Sequence, residues 1–345
     1  MSERPRVFAT RRLSGDAFER LAQAVALDVW PGPGAPSAAE LAQCGARAEG
    51  LLCLLSDRID AALLAACPEL RVVSSCSAGL DHVDLAAATA RGIPVGHTPG
   101  VLTETTAELA FALLLAAARR VGEAERFVRA GRWSEERRWD PELFLGRDLH
   151  GAVLGIVGLG AIGRAVARRA RGFGMRILAW SRSPKPDAPA EGIELVALPE
   201  LLARSDFVTL HVALAPETRR LVDAAALARM KQGAILVNTA RGELVDESAL
   251  AEALRSGRLA AAGLDVFECE PLPAESALLA LENVVLLPHI GSASAATRAR
   301  MADLAVANLR AGLAGEMLPH CANPQVYAGG AGAPPGRSSQ DGGRS

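Results

Sequence analysis

Short apolar runs alternate with amphipathic stretches along most of the chain. In the first third, the apolar runs predict strands at residues 6–9, 50–55 and 71–75, and helical periodicity covers residues 14–26. A second series begins near Ala152, and its apolar runs predict strands at 152–157, 176–180, 206–212, 234–238, 260–265 and 284–287. Strands that alternate with helices are typical of parallel sheets. The pattern therefore predicts an α/β fold in which helices flank parallel sheets.

Two stretches depart from this alternation, and the end of the chain differs again. Residues 102–122 show one long, largely apolar pattern that predicts a single helix. Residues 131–150 are irregular and hold Trp133 and Trp139, so the stretch is too polar for a core and too aromatic for an idle loop. Residues 328–345 are rich in Gly, Pro and Ser, and we predict that they are disordered.

Composition narrows the classes of protein. A length of 345 residues suggests two domains, and a net charge of −2 gives no reason to expect a nucleic-acid partner. The six cysteines form no Cys-x-x-Cys pair, so we expect no metal site. The first residues lack the apolar segment of a secretory signal, and the apolar stretch 107–118 is too short to span a bilayer. We therefore expect a cytoplasmic protein without a membrane partner.

A glycine-rich turn follows the strand predicted at 152–157. Its residues are Gly158, Leu159, Gly160, Ala161, Ile162 and Gly163, and a helical pattern comes next. In such a strand–turn–helix unit, the first glycine permits a tight turn, the second lets the backbone approach a pyrophosphate, and the third lets the helix pack closely. The helix N-terminus directs unpaired N–H groups at the phosphates. The motif predicts that residues 158–163 bind a dinucleotide.

The end of the next strand bears on the choice of dinucleotide. An acidic residue about 20 positions after the glycine motif would bind the ribose 2′-hydroxyl of NAD. The chain has Ser181, Arg182 and Ser183 there instead, with Lys185 close by. Hydroxyl and guanidinium groups suit a 2′-phosphate, which a carboxylate would repel. We predict that NADPH is preferred over NADH; the alternative is that Arg182 is only a solvent-exposed arginine after a strand.

Three residues with ionisable side chains each follow a predicted strand: Arg241, Glu270 and His289. A parallel α/β sheet binds its ligands just past the carboxyl ends of its strands. Side chains of these three types suit the reduction of a 2-oxo acid. Arg241 can bind the carboxylate of such an acid through paired hydrogen bonds, and His289 can donate a proton to its carbonyl oxygen. Glu270 can orient His289 and stabilise its protonated form. The three residues are therefore predicted to be catalytic.

These motifs resemble those of the D-isomer-specific 2-hydroxyacid dehydrogenases, and the resemblance covers about residues 5–327. The matching segments are Gly158–Gly163, Asn238–Gly242, Leu264–Phe267 with Glu270-Pro271, and Pro288–Gly291. Within the family, Ser77–His82 and Gly96–Pro99 are most similar to the glyoxylate/hydroxypyruvate reductase branch. The resemblance implies NADPH-dependent reduction of short 2-oxo acids, glyoxylate to glycolate and hydroxypyruvate to D-glycerate.

The resemblance also implies an architecture of two Rossmann-like domains. The substrate domain would be discontinuous, formed by residues 1–100 and 290–327. Residues 101–289 would form the NAD(P)-binding domain.

Matching the family residue by residue implies further roles. Arg241 would bind substrate, and Glu270 and His289 would be the acid–base pair. The backbone N–H groups of Ala78 and Gly79 would bind the substrate carboxylate. Leu55 would line a small pocket for the substrate, whereas the cofactor would be contacted by Ala213, Thr239, Asp265 and Gly291.

Members of the family are dimers that associate through a helix and an extended arm, and residues 131–150 are the matching region. The resemblance therefore implies a homodimer. We hypothesise that Trp139 reaches the substrate pocket of the partner; the alternative is that Trp139 only packs at the dimer seam.

Two rival functions share these motifs. One is an NAD-linked dehydrogenase of the same fold that acts on D-lactate or 3-phosphoglycerate, and the Ser181–Ser183 corner argues against it. The other is a cofactor-sensing binding protein like the C-terminal-binding-protein corepressors, which retain the same three residues. The sequence shows no nuclear-localisation run of basic residues, which disfavours this second rival.

Overall fold

The computed structural model describes residues 4–328 of the chain. The sequence predicts disorder for residues 328–345, and all of these residues from Gly329 onward lie outside the part of the chain that the structure describes. The chain divides into two compact units, which we call unit 1 (Met1–Leu102 and Ser294–Ser345) and unit 2 (Thr103–Ala293).

The described residues form twelve strands. They are β1 (Arg6–Ala9), β2 (Ala26–Val29), β3 (Gly50–Cys53), β4 (Val72–Ser75), β5 (Val95–Gly96), β6 (Val153–Val157), β7 (Arg176–Trp180), β8 (Ile193–Leu195), β9 (Phe207–Leu210), β10 (Ala234–Asn238), β11 (Leu259–Leu264) and β12 (Val284–Leu286).

The same residues form eleven α-helices and five short 3₁₀-helices. The α-helices are α1 (Asp16–Ala24), α2 (Ala38–Gly45), α3 (Ala61–Ala66), α4 (Leu85–Ala90), α5 (Thr103–Ala118), α6 (Val121–Arg129), α7 (Ala161–Gly172), α8 (Leu198–Arg204), α9 (Ala224–Arg229), α10 (Glu247–Arg255) and α11 (Ala295–Ala314). The 3₁₀-helices are Glu135–Arg137, Ala188–Glu191, Gly242–Leu244, Ala277–Ala280 and Pro324–Tyr327.

Unit 1 is built on a parallel sheet of five strands in the order β2-β1-β3-β4-β5. Successive side chains of a strand point to opposite faces. Val7 and Ala9 of β1 belong to a core cluster with α1 and α11, whereas Phe8 belongs to a cluster with α2, α3 and α4. Every residue of the central strands β3 and β4 is buried, because helices cover both faces.

Unit 2 is built on a parallel sheet of seven strands in the order β12-β11-β10-β9-β6-β7-β8. Leu154 and Ile156 of β6 belong to a core cluster with α5 and α7, whereas Val157 belongs to one with α8, α9 and α10. From β6 the chain passes to β7 and β8 on one side and then returns to β9 on the other. This reversal opens a crevice at the carboxyl ends of β6 and β9, where open α/β sheets bind ligands.

The predicted α/β fold with two parallel sheets flanked by helices is confirmed. All nine predicted strands are present, and their ends differ from the prediction by at most two residues. The strands that the hydrophobic pattern missed are β2, β5 and β8, of two to four residues each. All three lie at an edge of their sheet, where a short run of residues has a partner strand on one side only.

The single helix predicted for residues 102–122 is wrong. The structure has α5 and α6 instead, separated at Arg120, which has a left-handed φ of 54°. The carbonyl of Ala118 accepts a hydrogen bond from the backbone N–H of Arg147 at 2.8 Å, and the Arg120 guanidinium pairs with Glu123 at 2.6 Å. These contacts end one helix and begin the next, although the apolar pattern runs on without a break.

Among the described residues, no helix combines the length and the apolar character needed to cross a membrane. Within residues 4–328, no group of three or more His, Cys, Asp or Glu side chains is arranged to hold a metal ion.

Candidate active site

The glycine turn lies at the carboxyl end of β6, next to the point where the strand order reverses. Gly158 has a φ of 105°, a left-handed conformation that favours glycine. A Cβ atom there would also lie 2.6 Å from the carbonyl carbon of His211. The turn therefore packs directly on the chain that follows β9.

The surroundings of the turn fit the pyrophosphate of a dinucleotide. Gly160 precedes α7 and is exposed. A Cβ atom added there would have open space around it, with no neighbouring heavy atom of the described residues within 4 Å. Its bare backbone leaves the first N–H groups of α7, from Ala161 onward, open to an anion. Gly163 packs on the turn itself, since a Cβ there would lie 2.1 Å from the carbonyl oxygen of Gly158. Of the three apolar side chains in the motif, Leu159 is buried, Ile162 is half-buried and Ala161 is exposed.

The corner after β7 offers a cation beside this turn, because β7 pairs with β6. Ser181 is half-buried, and Arg182 and Ser183 are exposed. Arg182 makes no hydrogen bond or ion pair with any residue that the structure describes. Arg164 of α7, by contrast, is held by an ion pair with Asp187 at 2.9 Å.

Two buried polar atoms lie at the carboxyl ends of β10 and β11. Within residues 4–328, neither Thr239 Oγ1 nor Asp265 Oδ2 has a hydrogen-bond partner. The other oxygen of Asp265 accepts the backbone N–H of Ile290 at 2.7 Å, and burial raises the pKa of Asp265 above its ordinary value. Buried polar atoms in native proteins are almost always paired, so these two fit the polar groups of a bound ligand such as a nicotinamide dinucleotide.

The segment after β9 holds a histidine that the sequence analysis missed. The predicted strand ran through residue 212, whereas β9 ends at Leu210, so His211 is the first residue beyond the strand. Its Nε2 and Thr209 Oγ1 form a hydrogen bond of 2.9 Å, and burial lowers the pKa of His211 to about 3. The imidazole is therefore neutral at physiological pH. Two residues on, Ala213 is exposed, and its carbonyl accepts a hydrogen bond from Thr218 Oγ1 at 2.8 Å.

Arg241 is held by the turn that follows β10. Asn238 Nδ2 donates to the carbonyl of Arg241 at 2.7 Å, and Asn238 Oδ1 accepts the N–H of Ala240 at 3.0 Å. The guanidinium is half-buried and donates through Nη1 to the carbonyl of Ala240 at 2.7 Å. Gly242 lets this turn touch the chain after β11, since a Cβ there would lie 1.8 Å from the carbonyl carbon of Phe267.

Glu270 and His289 are joined by a hydrogen bond. Glu270 Oε2 lies 2.7 Å from His289 Nδ1, and the side chains are 32% and 25% exposed, respectively. The other oxygen, Oε1, accepts the backbone N–H of Phe267 at 3.0 Å. His289 has a left-handed φ of 55°, and its N–H donates to the carbonyl of Asp265 at 2.9 Å. The imidazole is thus fixed from its backbone and from Nδ1.

The charge of the Glu270 carboxyl follows from these contacts. Burial acts to raise the pKa of Glu270, but the hydrogen bond and charge of His289, the N–H of Phe267 and the charge of Arg241 together outweigh it. The pKa of Glu270 therefore lies below its ordinary value. Glu270 is therefore a carboxylate near neutral pH, and its negative charge lies against the imidazole of His289.

The remaining candidate residues are placed as follows. In unit 1, Leu55 is 42% exposed after β3, and Ala78 and Gly79 lie in the loop after β4, the neighbouring strand. Ser77 Oγ donates to the carbonyl of Gly79 at 2.7 Å, and His97 Nδ1 lies 3.2 Å from the carbonyl oxygen of Ala78.

In unit 2, Gly291 is buried, and a Cβ atom there would lie 3.3 Å from Asp265 Oδ2. Trp139 is 88% exposed, the most exposed of the large hydrophobic side chains described.

Comparison with known proteins gives the family. Residues 111–291, more than half of the chain, match the family described as D-isomer specific 2-hydroxyacid dehydrogenase, NAD binding domain. The glyoxylate reductase of Korarchaeum cryptofilum is 50% identical over 324 residues, which cover 94% of this chain and 97% of the relative. The glyoxylate reductase of Thermococcus litoralis is 46% identical over 325 residues, 94% of this chain and 98% of the relative.

Solved structures agree with this result. A protein from Thermus thermophilus superimposes with a TM-score of 0.86 at 51% identity, covering 92% of this chain and 99% of that one. An NADPH-dependent glyoxylate/hydroxypyruvate reductase from Sinorhizobium meliloti, solved with NADP and malonate, gives a TM-score of 0.83 at 35% identity, covering 93% and 98%. The chain therefore belongs to the D-isomer-specific 2-hydroxyacid dehydrogenase family and is an NAD(P)-dependent oxidoreductase.

Proposed function

We propose that the protein reduces short 2-oxo acids, glyoxylate to glycolate and hydroxypyruvate to D-glycerate, with NADPH as the preferred cofactor. The observation that carries the proposal is the 2.7 Å hydrogen bond between Glu270 Oε2 and His289 Nδ1, close to the charge of Arg241. An acid–base pair and a cation are what reduction of a 2-oxo acid requires of the protein. The relatives named glyoxylate reductase support the choice of a short substrate.

The proposed mechanism assigns one task to each group. Arg241 binds the substrate carboxylate through its planar fork of donors. When bound, the nicotinamide cofactor supplies the hydride. Because Nδ1 of His289 is engaged by Glu270, its Nε2 gives the proton to the substrate's C2 oxygen. The Glu270 carboxylate keeps the ring oriented and stabilises its charged form before the transfer.

In the proposed cofactor site, the turn from Gly158 to Gly163 binds the pyrophosphate. Thr239, Asp265, Ala213 and Gly291 would complete the site. The buried, unpaired atoms of Thr239 and Asp265 support this assignment, whereas Ala213 can contribute only its backbone.

The preference for NADPH follows from the corner after β7. Ser181, Arg182 and Ser183 would bind the 2′-phosphate. The exposed position of Arg182, without an ion pair to any described residue, supports this role. A relative described as NADPH-dependent and solved with NADP supports it further.

The protein is further proposed to act as a homodimer that uses residues 131–150. Trp139 and Trp133 are 88% and 57% exposed, and tryptophan is enriched at interfaces between proteins. Trp139 would meet the partner subunit, at its substrate pocket or at the seam.

The test is a panel of 2-oxo acids assayed with NADPH and NADH separately. We expect the highest kcat/KM with glyoxylate or hydroxypyruvate, and a higher value with NADPH than with NADH for each acid. A higher kcat/KM for pyruvate, or a clear preference for NADH, would contradict the substrate and cofactor parts of the proposal, respectively.

A further inference from the structure

Glu247 is a third carboxylate near the Glu270–His289 pair, and none of the roles above uses it. It is the first residue of α10, yet it does not cap that helix, because the preceding Asp246 accepts the N–H of Ala249 at 3.0 Å. Glu247 Oε1 instead accepts the backbone N–H of Glu268, in the loop after β11. Its side chain therefore joins the start of α10 to the loop that carries Glu270.

Two neighbouring amides of this loop are bound by two different carboxylates. The N–H of Phe267 donates to Glu270 Oε1 at 3.0 Å, and the next N–H, of Glu268, donates to Glu247. A shift of the loop at Glu268 would change the hydrogen bond from the Phe267 N–H to Glu270 Oε1. It would also move Glu270, which follows two residues later. The contact with Glu247 thus acts directly on the segment that aims Glu270 at His289.

The same loop also touches the chain that leads from Arg241 to α10. Gly242 lies so close to Phe267 that a Cβ atom would come within 1.8 Å of its carbonyl carbon. Five residues later, Glu247 makes the second contact between the two segments. Close packing at Gly242 and a hydrogen bond at Glu247 together fix the register of Arg241 relative to Glu270.

The charges around Glu247 are mostly negative. The charges that act on it are those of Glu268 and Glu270, and the cation Arg220 pairs with Glu268 at 3.5 Å and with Asp246 at 3.7 Å. Burial, together with the charges of Glu268 and Glu270, raises the pKa of Glu247 above its ordinary value, although the Glu268 N–H opposes the change. The partly buried carboxylate is therefore electrostatically costly, and it acts on the same Glu270 that binds His289.

We propose that Glu247 is a positioning residue for the reaction, which holds the Glu270 loop through the Glu268 N–H and adds its negative charge to the field that favours protonated His289. This role rests on the proposed function, because Glu247 acts only through the Glu270–His289 pair.

The test uses Glu247→Gln and Glu247→Ala in the full chain, assayed as pH profiles of kcat and KM for glyoxylate with NADPH. Glutamine keeps an oxygen for the Glu268 N–H but removes the charge, and alanine removes both. We expect Glu247→Ala to lower kcat roughly tenfold to a hundredfold, the scale of effect that a misplaced catalytic group produces. Glu247→Gln should keep most of the wild-type kcat. In both variants the loss of activity at alkaline pH should begin at lower pH than in the wild type.

The matched control is Glu252→Gln, which makes the same change of charge on the same helix. Glu252 is 69% exposed and pairs with Arg255 at 2.7 Å, so its profile should equal that of the wild type. A Glu247→Gln profile that coincides with the Glu252→Gln profile would overturn the electrostatic role, and unchanged kcat in folded Glu247→Ala would overturn the positioning role. If Glu247→Ala does not fold, Glu247→Asp takes its place, because aspartate keeps the charge but is one methylene shorter than the side chain that reaches the Glu268 N–H; an unchanged kcat there would overturn the positioning role. Failure of the proposed function is a different result: His289→Ala would then keep the wild-type kcat.

Discussion

Replacement of Glu270 by glutamine tests the electrostatic part of the mechanism with the smallest change of shape. The amide oxygen can still accept a hydrogen bond from His289 Nδ1, so the ring keeps its orientation while the negative charge disappears. The protonated imidazole then loses a counter-ion whose oxygen lies 2.7 Å from Nδ1. Since reduction needs the protonated form, the variant should lose activity at a lower pH than the wild type.

The size of this shift follows from Coulomb's law. Two unit charges 2.7 Å apart attract each other by about 1.5 kcal/mol even at a dielectric constant of about 80, the value for bulk water. The side chains of His289 and Glu270 are 25% and 32% exposed, so water still reaches the pair and the bulk-water figure sets the order of magnitude. Because about 1.4 kcal/mol corresponds to one pH unit, the alkaline limb should move down by about one unit.

The assay is the pH dependence of kcat/KM for glyoxylate reduction, measured beside the reverse oxidation of a 2-hydroxy acid. Oxidation needs neutral His289 as the base, so its acid limb should move down in the same variant by the same amount. The lowered pKa of Glu270 keeps the wild-type carboxylate ionised throughout this range. An alkaline limb that stays within about 0.3 units of the wild type would show that the charge of Glu270 does not act on His289, because so small a shift lies well below the Coulomb figure.

Three further predictions concern the cofactor site and the packing around it. Arg182→Asp should weaken NADPH binding by about 10- to 150-fold, equivalent to about 1.5–3 kcal/mol for a charge-assisted hydrogen bond, and leave NADH binding unchanged; titration with each cofactor checks this. Gly242→Ala should lower the free energy of unfolding, measured with denaturant, by about 1–3 kcal/mol or more, because its Cβ would lie 1.8 Å from the Phe267 carbonyl carbon. Gly160→Ala, where the added Cβ has open space, should keep the wild-type stability but bind the cofactor more weakly. Burial lowers the pKa of His211 from 6.5 to about 3, so between these pH values the unfolded chain binds a proton at His211 and the folded chain does not. The free energy of unfolding should therefore decrease as the pH falls from 6.5 to about 3, and His211→Asn should make Tm less dependent on pH in this range.

The parts of the fold that sequence predicts well are those with a strong, local hydrophobic signal. Central strands such as β6 and β10 are buried along nearly their whole length, so their apolar runs mark them clearly. The hydrophobic pattern did not predict the edge strand β2, because its residues alternate between exposed and half-buried. The apolar pattern does not show the break at Arg120 for another reason, since the end of α5 is bound by the backbone N–H of Arg147, a residue far along the chain.

The candidate site shows the same division between local and distant causes. Arg241, Glu270 and His289 could be found because each follows a predicted strand and parallel strands share one carboxyl edge. Glu247 lies at the start of a helix, where a glutamate is ordinary, and only the folded structure brings its oxygen to the Glu268 N–H. His211 was concealed because the predicted strand extended past the true end of β9.

In the proposed mechanism, His289 donates a proton to a 2-oxo acid held by Arg241. The most direct measurement is kcat for glyoxylate reduction with NADPH, in the wild type and in His289→Ala, together with the dissociation constant of NADPH for each. If His289 has this role, kcat in the variant should fall by about 10²- to 10⁴-fold, the usual contribution of general acid catalysis, and NADPH binding should be unchanged. A wild-type kcat in His289→Ala would contradict it.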